Sequence, residues 1–305
     1  MKLSTLVAAA GMLLGCSDVI QEGTDSGPSN TNFDATPTNA SAVDAMPNNA
    51  SPPDARPPSD FDLTTFTASV SLQPLSYVPA DLSGITYNHD SNTFYMIRNN
   101  ATRIWEVDTS YNLIRIIQPT GSFGDSEDIV YLGDNEYAIV SEEGILYIGT
   151  IAPGTTDTTV DPATFQAVTF ATNGGNQGPE GVAYDPDSEM FYVVKEENPR
   201  KLYSFPRPPA GTSSVTAIEP YDAQVLPMPR LTQDMSGVLF NRETGRLIIL
   251  SHRDHRAVDL DLDATVHGIL DFPRSQHEGI AFDGDGNLHI VGEPNFHNIY
   301  LRSNP

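Results

Sequence analysis

The sequence has a single cysteine, Cys16, among 305 residues. No internal disulfide can therefore brace the fold. Basic residues are scarce: 16 Lys and Arg stand against 40 Asp and Glu, a formal charge of -24. So acidic a chain repels phosphate backbones, which excludes nucleic acid as a partner and leaves cations and cationic partners open. The apolar run Leu6–Leu14 is too short to span a bilayer. No long amphipathic helical pattern is present. Nor is there a nucleophile elbow, a P-loop or a dinucleotide fingerprint, and His277-Glu278 lacks the second histidine of a zincin. With 39% apolar residues, the chain can bury one large core or two small ones.

What is there begins with a targeting segment. Lys2 precedes the short apolar run, so residues 1–15 read as a signal peptide. Leu13-Leu14-Gly15-Cys16 resembles the lipobox of bacterial lipoproteins. That resemblance implies that Cys16 is lipidated, and Ser17 in place of Asp at the next position implies the outer membrane. The remainder of residues 16–62 is rich in Asn, Pro, Ser, Thr, Ala and Asp, with Arg56 its one basic residue. Such a segment cannot bury enough apolar surface to offset its ordering entropy. It reads as a disordered tether, roughly 35–40 Å end to end as a random coil. The expectation is a cell-envelope protein that meets the membrane through its lipid anchor only.

From residue 63 to 305 a short pattern recurs five times. The copies are Leu82-Ser83-Gly84-Ile85-Thr86-Tyr87, Ser126-Glu127-Asp128-Ile129-Val130-Tyr131, Pro179-Glu180-Gly181-Val182-Ala183-Tyr184, Met235-Ser236-Gly237-Val238-Leu239-Phe240 and His277-Glu278-Gly279-Ile280-Ala281-Phe282. Their third positions are 44, 53, 56 and 42 residues apart. A β-type unit repeating at this interval is a propeller blade, so the expected fold is all-β, a five-bladed β-propeller. Alternate residues of a strand share a face. One face carries Ile85, Ile129, Val182, Val238 and Ile280, then Tyr87, Tyr131, Tyr184, Phe240 and Phe282; the other is mostly small. Bulky against small is what neighbouring blades need near an axis. Each copy leads into a turn and a second apolar strand, for example Phe94-Tyr95-Met96-Ile97 or Leu247-Ile248-Ile249-Leu250. The chain ends after a third strand, Asn298–Leu301. The alternating segment Phe66–Leu72 is expected to complete that last blade and close the ring.

Two columns of the repeat are acidic. Before the third position stand Ser83, Glu127, Glu180, Ser236 and Glu278. After the second strand stand Asn99, Glu142, Glu196, His252 and Glu293. Positions equivalent by repeat surround the axis, so both columns should ring one mouth of the channel. Carboxylates converging there cannot all stay ionised without compensation. One reading is a bound cation; a donor set of oxygens with one histidine suits a hard ion, and Ca²⁺ tolerates irregular six- to eight-fold geometry. The other is that the glutamates cap strand ends or pair with Arg98, Lys195 and Arg253.

Eight segments in series, among them Asp125-Ser126-Glu127, Lys195-Glu196-Glu197-Asn198-Pro199, Asp234-Met235-Ser236-Gly237, Leu250-Ser251-His252 and Glu293-Pro294-Asn295, resemble the SdiA-regulated family of YjiK-like envelope proteins. The resemblance runs over about residues 65–301. It implies a five-bladed propeller with a calcium site, distantly related to NHL-repeat propellers, and no settled activity. Asp128 departs from the glycine of the other copies. Elsewhere, Asp283-Gly284-Asp285-Gly286-Asn287 opens like an EF-hand loop but has Leu288 and Pro294 where Gly and Glu are required, so it reads as a hairpin turn. His252 and His255 are spaced as a zinc pair could be, but His255 should point elsewhere. The leading expectation is a calcium-binding or calcium-responsive module, with its protein or small-molecule partner open. The alternative is a calcium-dependent hydrolase of phosphate esters, phosphotriesters or lactones with His252 as the catalytic proton-transfer group. A structural envelope protein with an inert acidic channel is the third.

Overall fold

Five β-sheets, antiparallel apart from one added strand, surround a common axis, one for each copy of the repeat. The computed structural model describes residues 59–99, 103–172, 177–220 and 232–303. The signal peptide, Cys16 and the tether up to residue 58 lie outside them. β1 (Thr67–Pro74) precedes the first blade, which comprises β2 (Leu82–Asn88), β3 (Thr93–Arg98), β4 (Ile104–Asp108) and β5 (Leu113–Pro119). The second contains β6 (Ser126–Gly133), β7 (Glu136–Ser141) and β8 (Ile145–Thr150). β9 (Thr158–Val160) follows in the chain but pairs in parallel with β5, as a fifth strand on the first blade. β10 (Gln166–Thr169) then returns to complete the second blade beside β8. The third blade has β11 (Pro179–Asp185), β12 (Met190–Lys195) and β13 (Lys201–Pro206), and a bridge between Ser204 and Ile218 stands where a fourth strand would run. The fourth holds β14 (Gly237–Asn241), β15 (Arg246–Ser251), β16 (Arg256–Leu260) and β17 (Val266–Asp271).

The last blade contains β18 (Gln276–Phe282), β19 (Leu288–Glu293) and β20 (Phe296–Leu301), with β1 on its outside. Thr67 lies opposite Leu301 and Pro74 opposite Phe296, so the expected closure is observed. Among the described residues the helices are two single 3₁₀ turns, Leu63–Thr65 and Pro162–Thr164.

The core is divided into five clusters, each shared by two neighbouring blades. Val182, Tyr184, Phe191 and Val193 of the third blade pack on Ala138, Val140, Leu146 and Val130 of the second. Val238 and Phe240 of the fourth meet Ala183, Tyr192 and Val194 of the third. Ile85 and Tyr87 of the first meet Ala281 and Val291 of the last, which carries the packing through the closure. The bulky face of each inner strand therefore rests on the small face of the blade before it. Phe61 is buried with Phe66 and Phe282, so packing begins just ahead of the 3₁₀ turn.

At the axis the backbones nearly touch. A Cβ on Gly181 would lie 2.7 Å from the Gly237 Cα, one on Gly279 would lie 2.7 Å from the Ser83 carbonyl oxygen, and one on Gly84 would lie 2.7 Å from the Asp128 Cα. Only glycine allows that approach. The one non-glycine hub residue, Asp128, uses its carboxylate to accept from the backbone amides of Ile129 at 2.8 Å and of Val182, in the next blade, at 3.0 Å.

Candidate metal-binding mouth

The column before the hub owes its direction to a β-bulge. The pairing register slips between Leu82 and Gly84, between Ser126 and Asp128, between Pro179 and Gly181, and between His277 and Gly279. In each case the extra residue is the column member: Ser83, Glu127, Glu180 or Glu278. A bulge re-aims a side chain that regular alternation would place on a blade face. In the fourth blade β14 begins at Gly237, and the Ser236 hydroxyl donates to the His277 carbonyl instead. The second column is set by backbone bonds across the same end of each blade. The amides of Glu142, Glu196 and Asn99 donate to the carbonyls of Asp125, Gly178 and Asp81.

Side chains divide the mouth into two groups. In one, Asp125, Glu127 and Glu142 each bring a carboxylate oxygen within 4.8 Å of the others. Glu127 is 2% exposed; its Oε2 accepts from the Ser83 hydroxyl at 3.0 Å, while its Oε1 and the Asp125 Oδ1 are buried without a hydrogen-bond partner. Burial, then repulsion by Glu142, Asp125 and Glu278, pushes the Glu127 carboxyl up to about 9 against the bond from Ser83. Burial and Asp125 push Glu142 up to about 7, and Glu180, hydrogen-bonded to Glu142, is raised well above the usual range by burial and the four surrounding glutamates.

The other group is built on His252. Its Nδ1 lies 2.9 Å from Asp234 Oδ2, 3.6 Å from Glu278 Oε1 and 3.9 Å from Glu196 Oε1. Asp234 is fully buried and accepts from the Ser251 hydroxyl and from the amides of His252 and Arg253. Burial would raise Asp234, but the His252 imidazole first, and then the bonds from Ser251 and the Arg253 amide, outweigh it and hold the carboxyl below its ordinary value. Burial opposes charge on His252 too; Asp234 and Glu278 overcome it and raise the imidazole to about 10. Glu278 rises to about 7 through burial, eased by His252, and burial also raises Glu196 and Glu293.

One half of the mouth thus carries its own cation, and the other is carboxylate alone. The basic residues considered as partners for the glutamate columns are engaged elsewhere: Arg98 with Asp81, Arg253 with the Glu197 carboxylate and the Lys195 ammonium with the Glu197 carbonyl. Residues 60–300 match the SdiA-regulated family. The chain belongs to that family. Solved propeller structures resemble it more distantly. Regucalcin from Agrobacterium tumefaciens, described as a calcium-binding protein, is 14% identical, with 77% of this chain and 96% of that one covered at a TM-score of 0.47. A luciferin-regenerating enzyme is 10% identical over 75% and 95% at 0.49, and a streptogramin B lyase 11% identical over 78% and 98% at 0.44.

In this SdiA-regulated protein, the sequence columns put Glu127, Glu142, Glu180, Glu196, Glu278, Glu293 and His252 around one mouth. Two participants escaped them, Asp125 and Asp234. The signal was present: three residues before each hub position stand Asp81, Asp125, Gly178, Asp234 and Gln276, a third acidic column. Asp234 and Glu278 raise His252, the expected proton-transfer group, to about 10, well away from neutrality. His255 turns away, with φ +54° and Nδ1 3.2 Å from the Ser275 carbonyl. Asp283 accepts from the amides of Asp285 and Asn287, closing a hairpin turn.

Proposed function

We propose that the acidic mouth binds Ca²⁺ and that the propeller works as a calcium-binding or calcium-responsive module of the cell envelope. The observation that carries this is the cluster of Asp125, Glu127 and Glu142, each with a carboxylate oxygen within 4.8 Å of the others, in which Glu127 Oε1 and Asp125 Oδ1 are buried without a hydrogen-bond partner. Buried carboxyl oxygens are ordinarily satisfied. Three or more carboxylates with Glu180 alongside suit a hard, oxygen-seeking cation of high coordination number. Asp125, Glu127, Glu142 and Glu180 would hold the ion. His252 would neutralise Glu278, Glu196 and Asp234 next to it. A bound ion would supply charge compensation to the first group and lock the ends of the second and third blades together.

The test is thermal melting of the folded protein in calcium and in chelator. An ion that binds only the folded state at 100 times its dissociation constant adds ~2.7 kcal/mol. The rise in melting temperature should vanish in Glu127→Gln/Glu142→Gln. No rise in the wild type, or an equal rise in the double variant, sinks the reading. A hydrolytic mechanism with His252 as general base requires it to accept a proton at neutral pH, and an imidazole raised to about 10 is poorly suited to that role. The binding reading is the better supported.

The module would be displayed on the outer membrane through lipidated Cys16, the residue that ends Leu13-Leu14-Gly15-Cys16. Cys16→Ser should move the protein from the membrane fraction to the soluble one. Membrane recovery equal to that of the wild type counts against the anchor.

A further inference from the structure

The channel has a second mouth of opposite character. Each inner strand starts at the carboxylates and, after a rise of roughly 20 Å over its length, ends at a cavity of about 490 Å³. We propose that this cavity is a binding site for a neutral, ring-containing apolar small molecule. Nothing in the calcium reading requires it, and it stands or falls separately.

Its wall is built by the repeat. Every blade contributes one aliphatic and one aromatic side chain, the columns that begin with Ile85 and Tyr87. Small-molecule sites are enclosed, mainly apolar spaces of about 300–1,000 Å³ with few polar groups. This cavity falls in that range.

Most polar atoms nearby are engaged within the protein, the buried Asn241 Nδ2 being an exception that a neutral ligand's acceptor could meet. The Tyr87 hydroxyl donates to Asn92, the Tyr131 hydroxyl to Asp90, and the Tyr184 hydroxyl is hydrogen-bonded to Arg207. With their hydroxyls occupied, these rings offer carbon surface. The Thr86 hydroxyl is occupied as well, accepting from the Tyr131 amide at 2.9 Å. At the rim, Arg242 pairs with Asp187 at 2.7 Å, and Arg302 grips Glu243 through two bonds of 2.6 and 2.9 Å. A charged ligand would have to break one of these pairs and lose its own hydration. A neutral ring loses nothing polar and gains edge or offset contact with the aromatic column. Phe61 stands at the edge with Phe282 and under the Arg302 guanidinium, 5.4 Å from its ring, so the chain entering the domain narrows the opening.

The probe is N-phenyl-1-naphthylamine, a neutral aromatic fluorophore, titrated into the folded protein. Fluorescence should rise and saturate at one equivalent. Val182→Phe/Val238→Phe, which fills the cavity from two blades, should weaken binding by about tenfold or more. If that variant does not fold, hydrogen exchange of the wild type decides. The probe should slow exchange at residues 85–90 and 129–133 and leave the loops around Glu142 and Glu196 unchanged. A titration without saturation, as a mouth already covered by this chain or by a second copy would give, overturns the proposal. So does equal affinity in a folded double variant, or protection confined to other regions.

Discussion

Asp128 shows what one residue does at the hub. Its four counterparts are glycines, and its carboxyl is fully buried, where burial raises it well above the carboxylate range against bonds from the amides of Val182, Ile129 and Ile85. Those amides belong to three adjacent blades, so one side chain ties together the inner strands of three of the five blades. Asp128→Ala removes the acceptor and leaves buried N–H groups unpaired, each worth about 1–3 kcal/mol. The denaturant midpoint should fall accordingly at unchanged slope. A midpoint within error of the wild type would mean that water or backbone replaces the carboxylate. The sequence marked Asp128 as a departure without revealing its partners, since Ile85 and Val182 lie 43 and 54 residues away. Asp125 and Asp234 were hidden for a different reason: one aspartate before a strand is an ordinary turn residue, and only the repeat frame shows that three of five copies share it.

At the scale of elements, the inner and second strands were legible because each is apolar, short and repeated in register. Outer strands were not. β5, β10 and β17 are half-exposed and carry no motif, and β16 (Arg256-Ala257-Val258-Asp259-Leu260) begins and ends among polar residues. β9 is three residues long and joins a blade other than the one its position suggests, which no local pattern encodes. The closing strand was visible through its alternation, yet its attachment depends on a side chain. Asn298, fully buried in β20, accepts from the amide of Leu72 at 2.6 Å, where β1 bulges and Leu72 takes φ +49°. Asn298→Ala should cost about 1–3 kcal/mol through that buried amide. Hydrogen exchange should quicken in β1 more than in β7 or β15. Uniform acceleration across the propeller would show that Asn298 supports the core generally and not the closure.

For the whole molecule, the consequence of gathering carboxylates at one mouth is a pH dependence with a definite sign. A group whose folded pKa is raised stabilises the fold below its unfolded value, and that contribution is lost as pH rises through the folded one. Glu142 and Glu278, raised to about 7, and Glu127, raised to about 9, all behave so from their ordinary 4.5 upward. His252, raised to about 10, adds the same slope above 6.5. Two buried histidines oppose them at lower pH: His277 and His297, lowered to about 4, contribute stability above 6.5 that is lost as pH falls toward 4. Above 6.5 that opposition is complete and constant, and the mouth sets the slope. In chelator, the melting temperature should therefore fall steadily between pH 7 and 9. Calcium should flatten the fall, because an ion held there replaces the protons that Glu127 and Glu142 would otherwise retain. The two curves diverge with rising pH, so the stabilisation by calcium is larger at pH 9 than at pH 7. Parallel curves would mean that calcium binds away from the raised carboxyls, and a flat curve in chelator would mean that the mouth is neutralised by something other than protons.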